Sequence, residues 1–180
     1  MKRYHLPSCV LIAFACIHLL SACGFALRGS AGDFRLPFKT LYVNVSTNDL
    51  FGATLKRQIR SAGTEVVNDR KLADASLEIL LRDRQREVLS LSTAGRVREY
   101  ALFYTFRFQV KNRENHILLS PVEIRLRRTL TYDESQAYAK EKEAEMLYAD
   151  MENNVISQLI RRLANIEADT TASGKTEPDL

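Results

Sequence analysis

The residue with the most chemistry within reach is Cys23. Lys2 and Arg3 open the chain, Val10 to Leu20 is apolar apart from His18, and Leu20-Ser21-Ala22-Cys23 comes at once after it. Basic residues, an apolar run, small residues and a cleavage point, in that order, make a secretory signal. The small residues let a peptidase grip an extended, unbranched backbone. The cysteine offers a thiol to a diacylglycerol donor. Leu-Ser-Ala-Cys fits the bacterial lipobox at every position, which predicts a signal peptide over 1–22 and lipid attachment at Cys23. An apolar run this short spans a bilayer poorly. Several acyl chains on one terminus hold firmly, where a single chain is marginal. Gly24 stands where an aspartate would resemble an inner-membrane retention signal, and by that sorting analogy the lipid anchor sits in the outer membrane, facing the periplasm.

The remaining chemistry is defined as much by what is missing. Cys9 and Cys16 leave with the signal, so the mature body holds neither a free thiol nor a disulfide. His5 and His18 leave too. Only His116 remains, in a polar turn, which excludes a Cys/His metal site and leaves histidine-dependent catalysis resting on one solvated residue. No glycine-rich phosphate loop and no nucleophile elbow is present. The expectation is therefore a protein that is not an enzyme and has no metal and no cofactor. The formal net charge of +4 includes Lys2 and Arg3, so bulk attraction to anions is slight and the placement of charges matters more. Arginines recur on alternate residues, as Arg82, Arg84 and Arg86 and as Arg125 and Arg127, with Arg107 between. Guanidinium groups pair phosphate and carboxylate in bidentate fashion. In an exported protein the fitting partner is an anionic lipid or an acidic protein wall, not nucleic acid.

The elements that must position these groups come from periodicity. Residues 23–37 read as the lipidated N-terminus and a tether. Leu41 to Val45 is β-rich. Thr47-Asn48-Asp49 supplies cap residues, Phe51, Leu55, Ile59 and Ala62 recur at helical spacing, and Gly63 fits a left-handed stop. Thr64 to Val67 forms a brief second strand. Three longer strands come next. Leu77, Ile79 and Leu81 face one way, with Arg82, Arg84 and Arg86 opposite. Tyr100, Leu102, Tyr104, Phe106, Phe108 and Val110 form the next apolar face. Val122, Ile124, Leu126 and Leu130 form the last, against Glu123, Arg125, Arg127 and Thr129. Thr93-Ala94-Gly95 makes a tight hairpin, and Pro121 marks an edge or a bulge. A long helix over about 134–165 buries Ala144, Tyr148, Met151, Val155, Leu159, Leu163 and Ile166. Residues 168–180 read as a disordered tail.

Period two with one apolar side means a sheet covered on one face. Two amphipathic helices need that face. The expected fold is α/β of the α+β kind: a two-layer sandwich over 38–167, with two helices on one face of a mixed four- to five-stranded sheet. The uncovered face is expected to carry Arg82, Arg84, Arg86, Arg107, Arg125 and Arg127.

Several segments also resemble a known family. Cys23-Gly24-Phe25-Ala26-Leu27-Arg28-Gly29 looks like its mature start. Gly95 and Glu99-Tyr100 resemble its hairpin and following strand. Tyr132 to Gln136, Ala139-Lys140-Glu141 and Gln158 to Leu163 resemble its strand–helix junction and long helix. The family is that of the lipopolysaccharide-assembly lipoprotein LptE. The resemblance implies a plug inside the LptD outer-membrane β-barrel, forming the translocon that inserts lipopolysaccharide into the outer leaflet. It implies a role in assembling that barrel and lipopolysaccharide binding through basic residues at one end. Arg96 and Lys140 stand at the matching positions, and Arg98 adds a charge beside them. Lys140 also has Glu143 at i+3, a spacing that favours an ordinary helix-surface ion pair. An alternative reading is a barrel-independent periplasmic lipid-binding lipoprotein, which would need an apolar pocket beyond a single core.

Overall fold

A computed structural model describes residues 35–46 and 48–166, all within one compact unit. The signal, Cys23, nearly all of the tether and the tail beyond Ile166 lie outside the described residues.

The chain order is β1 (Thr40–Val43), α1 (Leu50–Ser61), β2 (Glu65–Val67), β3 (Ala75–Leu91), β4 (Val97–Asn112), β5 (Ile117–Thr131) and α2 (Ala137–Ala164). Short 3₁₀ turns precede β3 and α2. The strands form one sheet in the order β2-β1-β3-β4-β5. β1 runs parallel to both β2 and β3, whereas β3, β4 and β5 form an antiparallel meander. The expected mixed sheet with two helices is therefore present, and β1 lies inside the sheet with β2 at its edge.

Local chemistry accounts for the boundaries. The Asp49 carboxylate accepts the Phe51 amide at 3.3 Å and caps α1. Gly63, at φ 84°, ends that helix in the left-handed conformation that a Cβ would strain. Gly95, at φ 74°, serves the β3–β4 turn, where Ser92 N–H donates to Arg96 C=O at 2.7 Å. Pro121 lies on the edge strand β5, where a register shift opposite Phe108 and Val110 absorbs its missing donor.

The core fills the space between sheet and helices. Phe51, Leu55 and Ile59 of α1 and Met151, Val155, Leu159 and Leu163 of α2 pack on Leu41, Leu77, Tyr104, Phe106, Phe108 and Leu130. Removing one such side chain to alanine costs about 2–5 kcal/mol. In the first half of α2 the only buried residues are Ala144 and Tyr148, so that half needs another means of attachment.

The strand β3 supplies it, and corrects the expected faces. Ile79 pairs with Phe108, but Leu81 pairs with Arg107 and Arg82 with Phe106. Leu80 is an extra residue, a β-bulge, and it reverses which parity faces the helices. Up to Ile79 the odd residues point to the core. Beyond the bulge the even residues Arg82, Arg84 and Arg86 do so, while Leu81 falls opposite Arg107 on the open side. The open face accordingly keeps Arg107, Arg125 and Arg127 but not the three arginines of β3.

Candidate anionic-ligand site at the hairpin end

Two sets of cations converge on the distal half of the β3–β4 hairpin, and their surroundings differ. The first set faces α2. Arg82 pairs with Asp49, the cap of α1, and approaches Glu152 at 3.7 Å. Arg84 bridges Glu145 and Glu152, both at 3.0 Å. Arg86 grips Glu141 with both Nη atoms, at 2.6 and 2.9 Å. Glu141, Glu145 and Glu152 lie four and seven residues apart along one side of α2, and the step of about 6 Å from Glu141 to Glu145 is close to the two-residue step from Arg86 to Arg84. Each guanidinium also lies over a ring: Arg82 over Phe51 at 4.2 Å, Arg84 over Tyr148 at 4.9 Å, and Arg86 over Tyr100 at 5.3 Å. The Tyr148 hydroxyl donates to Gln85 C=O at 2.8 Å. Burial opposes the charge on Arg82 and Arg84, but their acidic partners outweigh it and raise both pKa values. For Arg86 the Glu141 bond dominates in the same direction. These three arginines are committed to holding the helix on the sheet.

The second set lies past the end of that lattice. The β3–β4 turn places Arg96, whose N–H donates to Ser92 Oγ at 3.1 Å. Tyr132 N–H donates to Arg98 C=O at 2.7 Å, which brings the end of β5 beside the start of β4. Tyr100 and Tyr132 meet edge to face at 5.1 Å. Asp133 then caps the 3₁₀ turn before α2, accepting from the Ser135 amide at 2.9 Å and its hydroxyl at 2.8 Å. Those bonds hold the Asp133 carboxyl below its usual pKa, and the charges of Lys140 and Arg96 add to the effect. Arg96 and Lys140, far apart in sequence, thus act on one carboxylate. Lys140 pairs with Glu143 at 2.8 Å, as its spacing predicts. Among the described residues no carboxylate pairs with Arg96 or Arg98. Arg98 lines a shallow pocket with Ser90, Leu91, Glu99 and Thr131.

Elsewhere the expectations from sequence divide. Arg125 and Arg127 flank Phe103 on the open face, at 4.7 and 5.8 Å from its ring. Arg128, on the helix side, pairs with Asp150 at 3.4 Å. His116 is exposed in the β4–β5 turn beside Glu114. Among the described residues no cluster of His, Cys, Asp and Glu could hold a metal, and no helix is long and apolar enough to cross a membrane. Periodicity alone does not reveal the pairing of β3 with α2. Its signal is the arginine spacing of two set against the spacing of Glu141, Glu145 and Glu152.

The two-layer fold is shared with solved bacterial lipoproteins. The described fold matches the solution structure of an uncharacterized lipoprotein B from Nitrosomonas europaea, with TM-score 0.67 and 35% identity, over 81% of this chain and 93% of that one. It also matches the fold of the rare lipoprotein B from Shewanella oneidensis, with TM-score 0.64 and 23% identity, over 73% and 98% of the two chains. The lipopolysaccharide-assembly family LptE matches residues 38–163, and this chain belongs to that family. It is a lipoprotein of lipopolysaccharide assembly. Among its relatives, the LPS-assembly lipoprotein LptE of Pectobacterium atrosepticum is 25% identical over 160 residues, covering 87% of this chain and 84% of that protein. That of Yersinia enterocolitica is 26% identical, covering 88% and 76%.

Proposed function

We propose that this lipoprotein, anchored through acylated Cys23 after removal of residues 1–22, sits at the periplasmic face of the outer membrane. There it plugs and helps assemble an LptD-type β-barrel, the translocon that delivers lipopolysaccharide to the outer leaflet. It works by binding rather than by catalysis. Its hairpin end takes the phosphates of lipopolysaccharide through Arg96, Arg98 and Lys140. Family membership supports the setting. The observation that supports the ligand site is the placement of Arg96 at the β3–β4 turn and of Arg98 opposite Tyr132, whose neighbour Asp133 caps the turn into the helix that bears Lys140, with no carboxylate paired to either arginine among the described residues.

The physical argument for a plug is the contrast between its two sheet faces. The ion lattice and the core fix α2 to one face. The other presents Arg107, Arg125 and Arg127 with Thr105, Gln109 and Glu123, groups able to hydrogen-bond the polar interior of a large outer-membrane barrel. A lipid anchor raises the local concentration of the plug near its barrel. Co-purification from the native envelope in mild detergent tests this reading. A large β-barrel recovered at near one-to-one stoichiometry is the expected result. Recovery of the lipoprotein alone, with the barrel present in the same extract, would favour a barrel-independent lipid-binding lipoprotein instead.

A further inference from the structure

The large apolar side chains that remain exposed are not scattered evenly. Val88, Leu89 and Leu91 crowd the far end of β3, each between 43% and 57% exposed. Isolated exposed apolar residues need no explanation, whereas a cluster rimmed by polar groups marks a contact surface. Val88 continues the even, helix-facing set after Arg86, but Glu141, near the start of α2, is already engaged by Arg86. The helix therefore leaves the last residues of β3 uncovered.

The ladder is broken at this tip. Val88 pairs with Tyr100, Ser90 with Glu99, and Leu91 with Val97. Each strand therefore carries one unpaired residue: Leu89 on β3 and Arg98 on β4. Bulges re-aim side chains and cluster beside functional sites. Here the two bulged positions present one apolar and one cationic side chain at the same level of the hairpin. Arg96 closes the turn, and Leu91 and Arg98 line one pocket together with Ser90, Glu99 and Thr131.

Two arginines that no carboxylate pairs among the described residues, at the same hairpin end as three exposed aliphatic side chains, have the chemistry of an anionic amphiphile's binding partner. The guanidinium groups match phosphate, and the aliphatic groups match hydrocarbon. Resting on the proposed phosphate site, we infer that the tip formed by Val88, Leu89 and Leu91 is an acyl-chain platform. It receives the first methylene groups of the lipopolysaccharide whose phosphates Arg96, Arg98 and Lys140 hold. The phosphates set the position of the lipid, and the platform covers the part of its chains nearest the headgroup.

The chain contains no tryptophan, so one substitution makes a site-specific reporter. The full-length protein from its host membrane, carried on a zwitterionic nanodisc, would be prepared as Leu91→Trp. Leu72→Trp, in the exposed turn that precedes the other end of β3, is the control. Purified lipopolysaccharide is expected to shift the emission of the Leu91→Trp protein to the blue and leave that of the Leu72→Trp protein unmoved. Adding Arg96→Glu and Lys140→Glu is expected to remove that shift at the same lipid concentration. Leu89→Ser with Leu91→Ser, read by calorimetry, is expected to weaken lipopolysaccharide binding about tenfold. If the lipid binds with the expected charge dependence while the indole at position 91 keeps its water-exposed emission, the platform is wrong and the phosphate site stands. If charge reversal leaves lipopolysaccharide binding intact, the phosphate site falls and the platform with it. A blue shift produced equally by phosphatidylglycerol in the nanodisc, without lipopolysaccharide, would reassign the tip to the membrane surface and overturn the inference.

Discussion

Arg86 lies on one arm of the β3–β4 hairpin and Arg96 in its turn, and their surroundings differ. Arg86, like Arg82 and Arg84, faces a carboxylate partner, with an aromatic ring beneath each guanidinium. Arg96 and Arg98 stand beyond that lattice, and among the described residues neither is paired with a carboxylate. The residue type is the same, and the partner opposite decides the role. A fully countered arginine fastens layers together, whereas an uncountered one leaves its charge open, the basis of the proposed ligand site. The boundary between the sets is a matter of strand parity and helix length. The bulge at Leu80 turns the first set inward, and α2 starts too late to neutralise the second.

Reversing a charge inside the lattice should have the largest effect. Arg84→Glu would set a carboxylate against Glu145 and Glu152 where a cation now bridges them. Solvent reaches Arg84 and Glu145 and screens part of the repulsion, so the expected loss is on the order of 2–4 kcal/mol, measured by urea unfolding. A variant of unchanged stability would show that the arginine lattice does not hold the helix.

Glu152→Ala is the next smaller break. Glu152 is 8% exposed and serves both Arg82 and Arg84. Its loss leaves two half-buried guanidinium groups short of a partner and should cost about 1–3 kcal/mol, discounted from a fully buried pair because solvent still reaches the arginines. Lipopolysaccharide affinity should stay within about twofold, since the hairpin end is untouched.

Acid should weaken the lattice. Bonds to Arg86 hold the Glu141 carboxyl below its ordinary 4.5. Burial pushes the Asp49 carboxyl up, but Arg82 and the cap amides overcome it and hold that group below 3.8. A carboxyl depressed in the folded state contributes stability that is present above its unfolded pKa and lost as pH falls through its folded one. Melting temperature should therefore drop below about pH 4.5, and Arg86→Gln should reduce that drop by removing the Glu141 share. Thermal scans at pH 7 and pH 3 measure it.

Two smaller changes sharpen the contrast. Deleting Leu80 removes the extra residue but leaves Leu81 opposite Arg107 and Arg82 opposite Phe106, so the three arginines should keep facing α2. Stability should fall by no more than about 1 kcal/mol. A loss as large as that of Arg84→Glu would mean that the bulge does more than set parity. Lys140→Ala is expected to have the smallest effect on the fold, roughly 0.2–0.5 kcal/mol for one i,i+3 pair. Any larger effect on lipid binding would then come from the charge itself.

Much of this contrast is legible residue by residue in the sequence. The alternation from Tyr100 to Val110 names a strand face, and every residue of it except Tyr100 is fully buried. The spacing from Ala144 to Ile166 gives the buried stripe of α2, and Lys140 pairs with Glu143 as its position requires. The face of Arg82, Arg84 and Arg86 is not legible. Leu77, Ile79 and Leu81 alternate without a flaw, and tandem Leu80-Leu81 hides which leucine is the inserted one. Hydrophobic pattern cannot mark a bulge when both candidates are apolar. Long-range convergence is equally silent. Arg96 and Lys140 come to one end of the molecule because β5 returns beside β4 and Asp133 caps the turn into α2. Their resemblance to family positions, not their spacing, singles them out.

The most direct test sets the two arginine groups side by side. Arg96→Glu with Lys140→Glu, and Arg84→Glu alone, would each be assayed for lipopolysaccharide affinity and for unfolding free energy. The account predicts that the double variant loses at least about tenfold in affinity with stability within about 1 kcal/mol of the parent. Arg84→Glu should lose stability and, while folded, keep its affinity. The reverse pattern, with Arg84→Glu abolishing lipid binding in a folded protein and the double variant binding normally, would contradict the division of labour.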